Sequence, residues 1–157
     1  MGDIREFSVQ IITAAAKHGI PYSTVGGIIR QESGAEPLAC RHEPGYRWLY
    51  YPERVKPVTC SLTTEKIFQM TSWGLMQVMG AVYREYGFEG WLSKVICDIE
   101  AQLEYGCLHL GKKIKKFGLE GGIVAYNSGS PRRKEDGTYV NQYYLDAVLR
   151  YTEEVNF

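Results

Sequence analysis

Between Asp98 and Gly118 the stretch "DIEAQLEYGCLHLGKKIKKFG" repeats an apolar residue every three or four positions: Ile99, Leu103, Cys107, Leu110, Ile114 and Phe117. That spacing puts one apolar stripe along an α-helix and fits no strand. Asp98 is suited to cap its first turn and Gly118 to end it. Lys112, Lys113, Lys115 and Lys116 suit the negative end of the helix dipole and read as a solvated face, with attraction of an anionic polymer as the weaker reading. A helix this long and this regular makes the chain mainly α-helical.

The other segments follow the same period. Ile4, Phe7, Ile11, Ile12 and Ala15 mark a first helix opened by Asp3 and closed by Gly19. A second, capped by Ser23, runs through Val25, Ile28 and Ile29 to Glu32. Its Gly26 and Gly27 each weaken a helix by about 1 kcal/mol relative to Ala, which points to close packing against another backbone. Residues 35–62 lose the period among Pro37, Pro44, Pro52 and Pro57, and read as an irregular insertion or a small β-hairpin. A short helix is predicted from Thr63 to Met70. In "SWGLMQVMGAVYREYG", Leu75, Val78, Met79 and Val82 form a buried stripe that stops at Gly87. A short helix near "GGIVAYN", a polar loop "SGSPRRKEDGT" and a final helix through Val140, Tyr144, Val148 and Tyr151 complete the chain. No repeat or linker divides it, so one domain over 1–157 is expected.

Composition excludes several classes of function. Eighteen basic residues balance eighteen acidic ones, so the electrostatic footprint of a nucleic-acid binder is missing. No stretch reaches the roughly 20 apolar residues of a membrane span. The opening "MGDIREFS" lacks the charged and then apolar segments of an export signal. Cys40, Cys60, Cys97 and Cys107 contain no C-x-x-C pair. Cys40, His42 and Cys60 match no compact zinc site and lack a fourth ligand, so no metal or other cofactor is expected. A disulfide between Cys40 and Cys60 is left open, whereas Cys97 and Cys107 stand about 15 Å apart along one helix, too far to bridge. Twelve Tyr and three Trp suit a cleft that meets a partly polar ligand, although any single Tyr is more often a packing residue.

Within "IIRQESGAEP", Glu32 ends an apolar run and Ser33, Gly34 and Pro37 stop the helix behind it. The helix dipole is negative there and opposes ionisation, and an apolar setting raises a carboxyl pKa further. A proton held near neutral pH is what a general acid needs. From position alone, however, a solvated helix-end residue is the more common reading.

Four segments bear on that choice: "ESGAEP" at 32–37, "GLMQVM" at 74–79, "AYNSG" at 125–129 and "YLDAV" at 144–148. Each is weak alone. Together and in this order the chain resembles the soluble lytic transglycosylases of the goose-type-lysozyme-like superfamily. The resemblance implies a lysozyme-like helical domain, here with the insertion around 35–62, that cleaves the β-1,4 bond between N-acetylmuramic acid and N-acetylglucosamine. Its partner would be peptidoglycan glycan strands, with no nucleic acid and no membrane span, and the protein is expected to be monomeric. It would act on the cell wall, in the periplasm or delivered by a phage. Glu32 would correspond to the catalytic acid, with Ser33 positioning its carboxyl or the sugar. Met76 and Gln77 would belong to a segment that approaches substrate, with Leu75 in the core. Tyr126 and Asn127 would line the opposite side, and Tyr144 would reach back to Glu32 by hydrogen bond, unless it is plain core packing.

Two features depart from the family pattern. Met79 is followed by Gly80 where the family often has proline, and about forty residues separate Glu32 from Gly74. The insertion either borders the cleft, with Tyr46, Trp48, Tyr50 and Tyr51 as sugar-stacking candidates, or packs on itself. Arg132 or Arg133 could meet peptide carboxylates, although an unpartnered loop is the commoner case. Only one acid sits in a matched motif, while most glycosidases use two. Glu36, Glu43, Glu53 and Glu65 lie in or near the insertion without a signature. A hydrolytic goose-type muramidase would need one of them, and a lysozyme-like module that only binds peptidoglycan would need no acid at all.

Overall fold

The computed structural model describes residues 2–157; residue 1 of the expected domain range lies outside it. The chain is mainly helical with one small antiparallel sheet, as the helical periods imply. A 3₁₀ turn over Ile4–Phe7, capped by the Asp3 carboxylate on the Arg5 N–H at 3.0 Å, leads into α1, Ser8–Lys17. Ile11 and Ala15 of α1 are buried, whereas Ile12 falls on its solvent side.

Helix α2 spans Tyr22–Ser33 and begins earlier than expected. Its cap is Pro21, whose carbonyl accepts from Thr24 and Val25, so Ser23 lies inside the first turn and caps nothing. The helix ends at Gly34, with φ 63°, a left-handed conformation that costs glycine little. Its two glycines explain its partner. A Cβ on Gly26 would lie 2.8 Å from Val155, and one on Gly27 would lie 2.4 Å from Thr152 Oγ1 and 2.7 Å from the Val148 carbonyl. Val148 and Thr152 belong to α7, Gln142–Glu154, which therefore lies directly on the backbone of α2.

The insertion supplies strand β1, Cys40–His42, a single helical turn α3, Pro52–Val55, and the approach to α4, Leu62–Gln69. The segment after α4 departs from a helical stripe. It forms β2, Thr71–Trp73, a tight turn, β3, Val78–Met79, and only then the short helix α5, Gly80–Glu85. Helical spacing fails here because Gly74 (φ 76°) and Gln77 (φ 48°) are both left-handed, which reverses the chain. Leu75 and Met76 at the tip of the turn point into the core and are fully buried. The sheet order is β1-β2-β3, with Cys40 opposite Trp73 and Trp73 opposite Val78, and with Arg41 opposite Ser72 and Ser72 opposite Met79. Side chains alternate across a strand, so these two rows face opposite ways.

Helix α6 runs Ile99–Ser128, starting from the Asp98 cap on the Ala101 N–H at 2.9 Å and breaking at Gly118, where φ is 77° and ψ 176°. The long helix and the following short one are thus two helices meeting at the glycine that ends the first. Leu103, Cys107 and Leu110 from its first half and Ile123 and Val124 from its second join one buried apolar cluster with α1, α2, the hairpin tip and α7.

Charge is also buried. Arg84 on α5 gives Nε and an Nη to the two carboxylate oxygens of Glu65 on α4 at 2.8 and 2.9 Å, and its other bonds go to the Phe88 and Gly90 carbonyls. Glu65 also accepts from Gln69, which exchanges two hydrogen bonds with the backbone of Tyr50. Full pairing of this kind is what makes a buried ion pair tolerable. It fixes the aromatic loop of the insertion onto α4 and keeps Glu65 out of any ligand site. All four cysteines are free thiols, so the Cys40 to Cys60 bridge is not formed. Among the described residues no helix is long and apolar enough to cross a membrane.

The contact between α2 and α7 gives a direct test. Gly27→Ala gains helix propensity of about 1 kcal/mol but drives its methyl into the Val148 carbonyl, and overpacking of that kind costs about 1–3 kcal/mol. A net loss of stability is expected in urea unfolding, whereas Gly19→Ala, with open space around it but φ 65°, should show only the smaller cost of its backbone conformation.

Candidate active site

Glu32 stands in the last turn of α2, and Tyr144 stands in the first turn of α7. Because the glycines let these helices touch, the Tyr144 hydroxyl donates to Glu32 Oε1 at 2.5 Å across 112 residues of sequence. Tyr144 is itself buried, so its ring is fixed by packing and its hydroxyl fixes the carboxyl. Glu32 Oε2 has no protein partner among the described residues. One oxygen is held, the other is unpartnered, and the residue lines a cleft of about 610 Å³.

The cleft lies between the helices and the sheet. On the helical side are Glu32, Tyr126, Asn127, Tyr143 and Tyr144; on the other side is the sheet row Arg41, Ser72 and Met79. The opposite row turns Trp73 and Val78 into the core. Sheet register therefore decides which residues of "CRH" and "TSW" meet a ligand.

The residues expected from the four segments separate into two groups. Tyr126, Asn127, Tyr144 and Gln77 line the cleft with Glu32. Ser33 does not reach the carboxyl or the cleft: its hydroxyl donates to the Leu75 carbonyl at 2.8 Å and to the Ile29 carbonyl at 3.2 Å, tying the end of α2 to the hairpin. Met76 is not a cleft side chain either. It is fully buried against Gly106, because the left-handed residues of the turn aim the tip inward. Only its carbonyl matters to the site, accepting from the Tyr126 hydroxyl at 2.6 Å.

Gln77 spends most of its amide on structure. Its Nε2 donates to the Ala39 and Gly74 carbonyls, and its Oε1 accepts from Ser72 at 2.8 Å. Gln102 from α6 does similar work behind the turn, accepting from the Leu75 N–H and donating to the Val95 carbonyl. Asn127 accepts from Asn141 through Oδ1 at 2.9 Å, which orients its amide nitrogen the other way. Behind Tyr126 sits His109, with ring centroids 5.4 Å apart, and His109 Nδ1 meets the Tyr86 hydroxyl at 2.7 Å. Burial pushes His109 down to about 4 and Tyr86 up to about 12, so near neutrality both groups are uncharged and the imidazole tautomer sets which of them donates. The support behind the cleft wall carries no charge.

From the insertion, Tyr46 lines the cleft and Trp48 stands beside it, 5.6 Å between centroids and largely exposed. Tyr50 and Tyr51 pack edge to face on each other, and Tyr51 lies under Arg54. The insertion thus divides into a part that borders the cleft and a part that packs on itself. Of its acids only Glu43 reaches the cleft, where it is bound to Arg41 at 2.5 Å. Arg133 is committed elsewhere, donating to Gly137 and Tyr139 and lying over the Tyr139 ring. Arg41 and Ser72 carry no local sequence signal, and Met79 ends a matched segment whose spacing read it as buried; strand register is what brings the three onto the cleft.

Burial raises the Glu32 pKa above the ordinary carboxylate value, and the hydrogen bond from Tyr144 and the charge of Arg41 only partly oppose it. The folded state therefore binds a proton that the unfolded state releases, and stability falls as pH rises from the unfolded pKa, about 4.3, through the raised folded one. Glu32→Gln removes this dependence. Its Tm is expected to exceed that of the parent at pH 7–8, with the difference shrinking as pH approaches 4 in a thermal-melt series; an equal difference at every pH would contradict the buried-acid account.

A family model described as the transglycosylase SLT domain matches residues 10–144, from α1 to the tyrosine that binds Glu32. No curated protein matches the chain. Since the family model covers most of the sequence and residues on both sides of the cleft, the chain belongs to the transglycosylase SLT domain family, whose general activity is of the lytic-transglycosylase type on peptidoglycan.

Proposed function

We propose that this protein cleaves the MurNAc-β-1,4-GlcNAc bond of peptidoglycan without water, leaving 1,6-anhydromuramic ends, with Glu32 as the one general acid and base. The observation that carries the reading is a half-buried carboxyl in the cleft whose Oε1 is held by Tyr144 while Oε2 has no partner among the described residues.

The chemistry follows from that asymmetry. With its protonated form favoured by burial, Glu32 donates from Oε2 to the glycosidic oxygen as the bond to C1 breaks. Positive charge develops on an oxocarbenium-like centre, which the substrate's own N-acetyl carbonyl can stabilise. Glu32 is then an anion, and the two features that favour its anionic form, the Tyr144 hydroxyl and the nearby Arg41 charge, now stabilise it. As a base it takes the proton from the C6 hydroxyl, whose oxygen closes onto C1. The proton count returns to its starting point and no water is consumed. Tyr126 and Asn127, fixed by Met76 and Asn141, are the residues placed to hold the sugar from the helical side. Tyr46, with Trp48 beside it, offers an aromatic face further along.

Glu43 supports a second reading. It is a second carboxylate in the same cleft, and a hydrolytic muramidase could use one to hold water on the far side of the sugar. Its pairing with Arg41 engages one oxygen and leaves the other open, so the products of digestion decide between the two readings.

Digestion of purified peptidoglycan with mass spectrometry of the products separates the two. Muropeptides lighter by one water are expected, and reducing-end products would overturn the proposed outcome. Glu32→Gln should lose on the order of 10²-fold or more in kcat. Tyr144→Phe, which frees the carboxyl without removing it, should lose about 10-fold or more, in line with a hydrogen bond to a charged group. Glu43→Gln is expected to keep the anhydro products.

A further inference from the structure

Of the residues that line the cleft, Arg41 is the one cation, and the lytic reading above uses its charge near Glu32 but none of its hydrogen-bond donors. It stands in the middle of β1, the edge strand, in the row that faces the cleft with Ser72 and Met79. Glu43, two residues on, holds the guanidinium through Nε. Neither Nη makes a hydrogen bond to any described residue, so the end-on fork is open while the side of the group is held. The pair is largely exposed and is therefore a weak tether of the surface type, able to orient the guanidinium without satisfying it.

A planar fork with two free N–H₂ groups is matched to a carboxylate, which it can bind through two parallel hydrogen bonds. Neither Arg132 nor Arg133 lines the cleft, and Arg133 donates to Gly137 and Tyr139. The lysines of α6 are engaged away from the cleft: Lys113 donates to the Gly129 carbonyl and Lys112 lies over the Tyr86 ring.

We propose that Arg41 is a specificity-determining residue that binds a carboxylate carried by the glycan strand beside the bond to be cleaved, with Glu43 holding its guanidinium in position. This rests on the peptidoglycan reading of the cleft. The carboxylate has two sources of the same chemistry: the lactyl group of a peptide-free muramic acid, or the stem peptide when one is attached. Neutral glycans of the same shape lack both. Arg41 also lies close enough to favour the ionised form of Glu32, so a bound carboxylate that shares its charge leaves the acid more readily protonated.

Binding without turnover tests the assignment independently of the product question. In the Glu32→Gln background, calorimetry would compare three GlcNAc–MurNAc tetrasaccharides: peptide-free, peptide-free with lactyl carboxyls converted to amides, and peptide-bearing. The amide chain is expected to bind about 10-fold more weakly than at least one carboxylate chain, and whichever chain is preferred identifies the source. Adding Arg41→Gln should bring that chain down to the amide level while leaving the amide chain unchanged, and Arg41→Lys should restore part of the difference. Equal affinities for all three chains with Arg41 present, or a preference that survives Arg41→Gln, would overturn the assignment. A failure of the lytic reading would show instead in the masses of products from the parent enzyme, with these affinities unaffected.

Discussion

The site depends on how closely α2 and α7 approach. Glu32 lies near one end of the sequence motifs and Tyr144 near the other, and their hydrogen bond needs the two helices in near backbone contact. Gly26 and Gly27 make that distance available, since a methyl on either would collide with Val155, Thr152 or the Val148 carbonyl. The cost of two glycines inside a helix is therefore spent on geometry. It is recovered where α7 buries Tyr144, Leu145 and Val148.

The second wall of the cleft is built by polar side chains that act on backbone. Ser33 ties α2 to Leu75, Gln77 ties the hairpin to Ala39, Gln102 takes the Leu75 N–H, and Tyr126 takes the Met76 carbonyl. A turn with two left-handed residues cannot satisfy its own amides as a helix would, and a buried amide without a partner costs more than a hydrogen bond returns. These four side chains remove that cost. They also set the distance between sheet and helices, and with it the width of the cleft.

Charge is handled in two different ways within the same molecule. Glu65 and Arg84 are buried together and fully bonded, which holds the insertion in place and leaves them chemically inert. Glu32 is half-buried with a single hydrogen bond from a neutral phenol, so its charge is only partly compensated and its pKa is raised. The difference lies in the number and charge of the partners that each meets in space.

Much of this was legible in the chain itself. The period of Ile99 to Phe117, the stops at Gly34 and Gly118, and the close packing signalled by Gly26 and Gly27 follow from local rules of helix geometry, because side-chain spacing and glycine φ are properties of a few neighbouring residues. Order of motifs was enough to identify the family. What the sequence could not convey was direction. Ser33 and Met76 sit inside matched motifs yet serve the hairpin and the core, while Arg41 and Ser72 sit in none and face the cleft. Facing is decided by strand register and by the two left-handed residues of one turn, and both are fixed only when β1, β2 and β3 pair and the tip of the hairpin packs on α6.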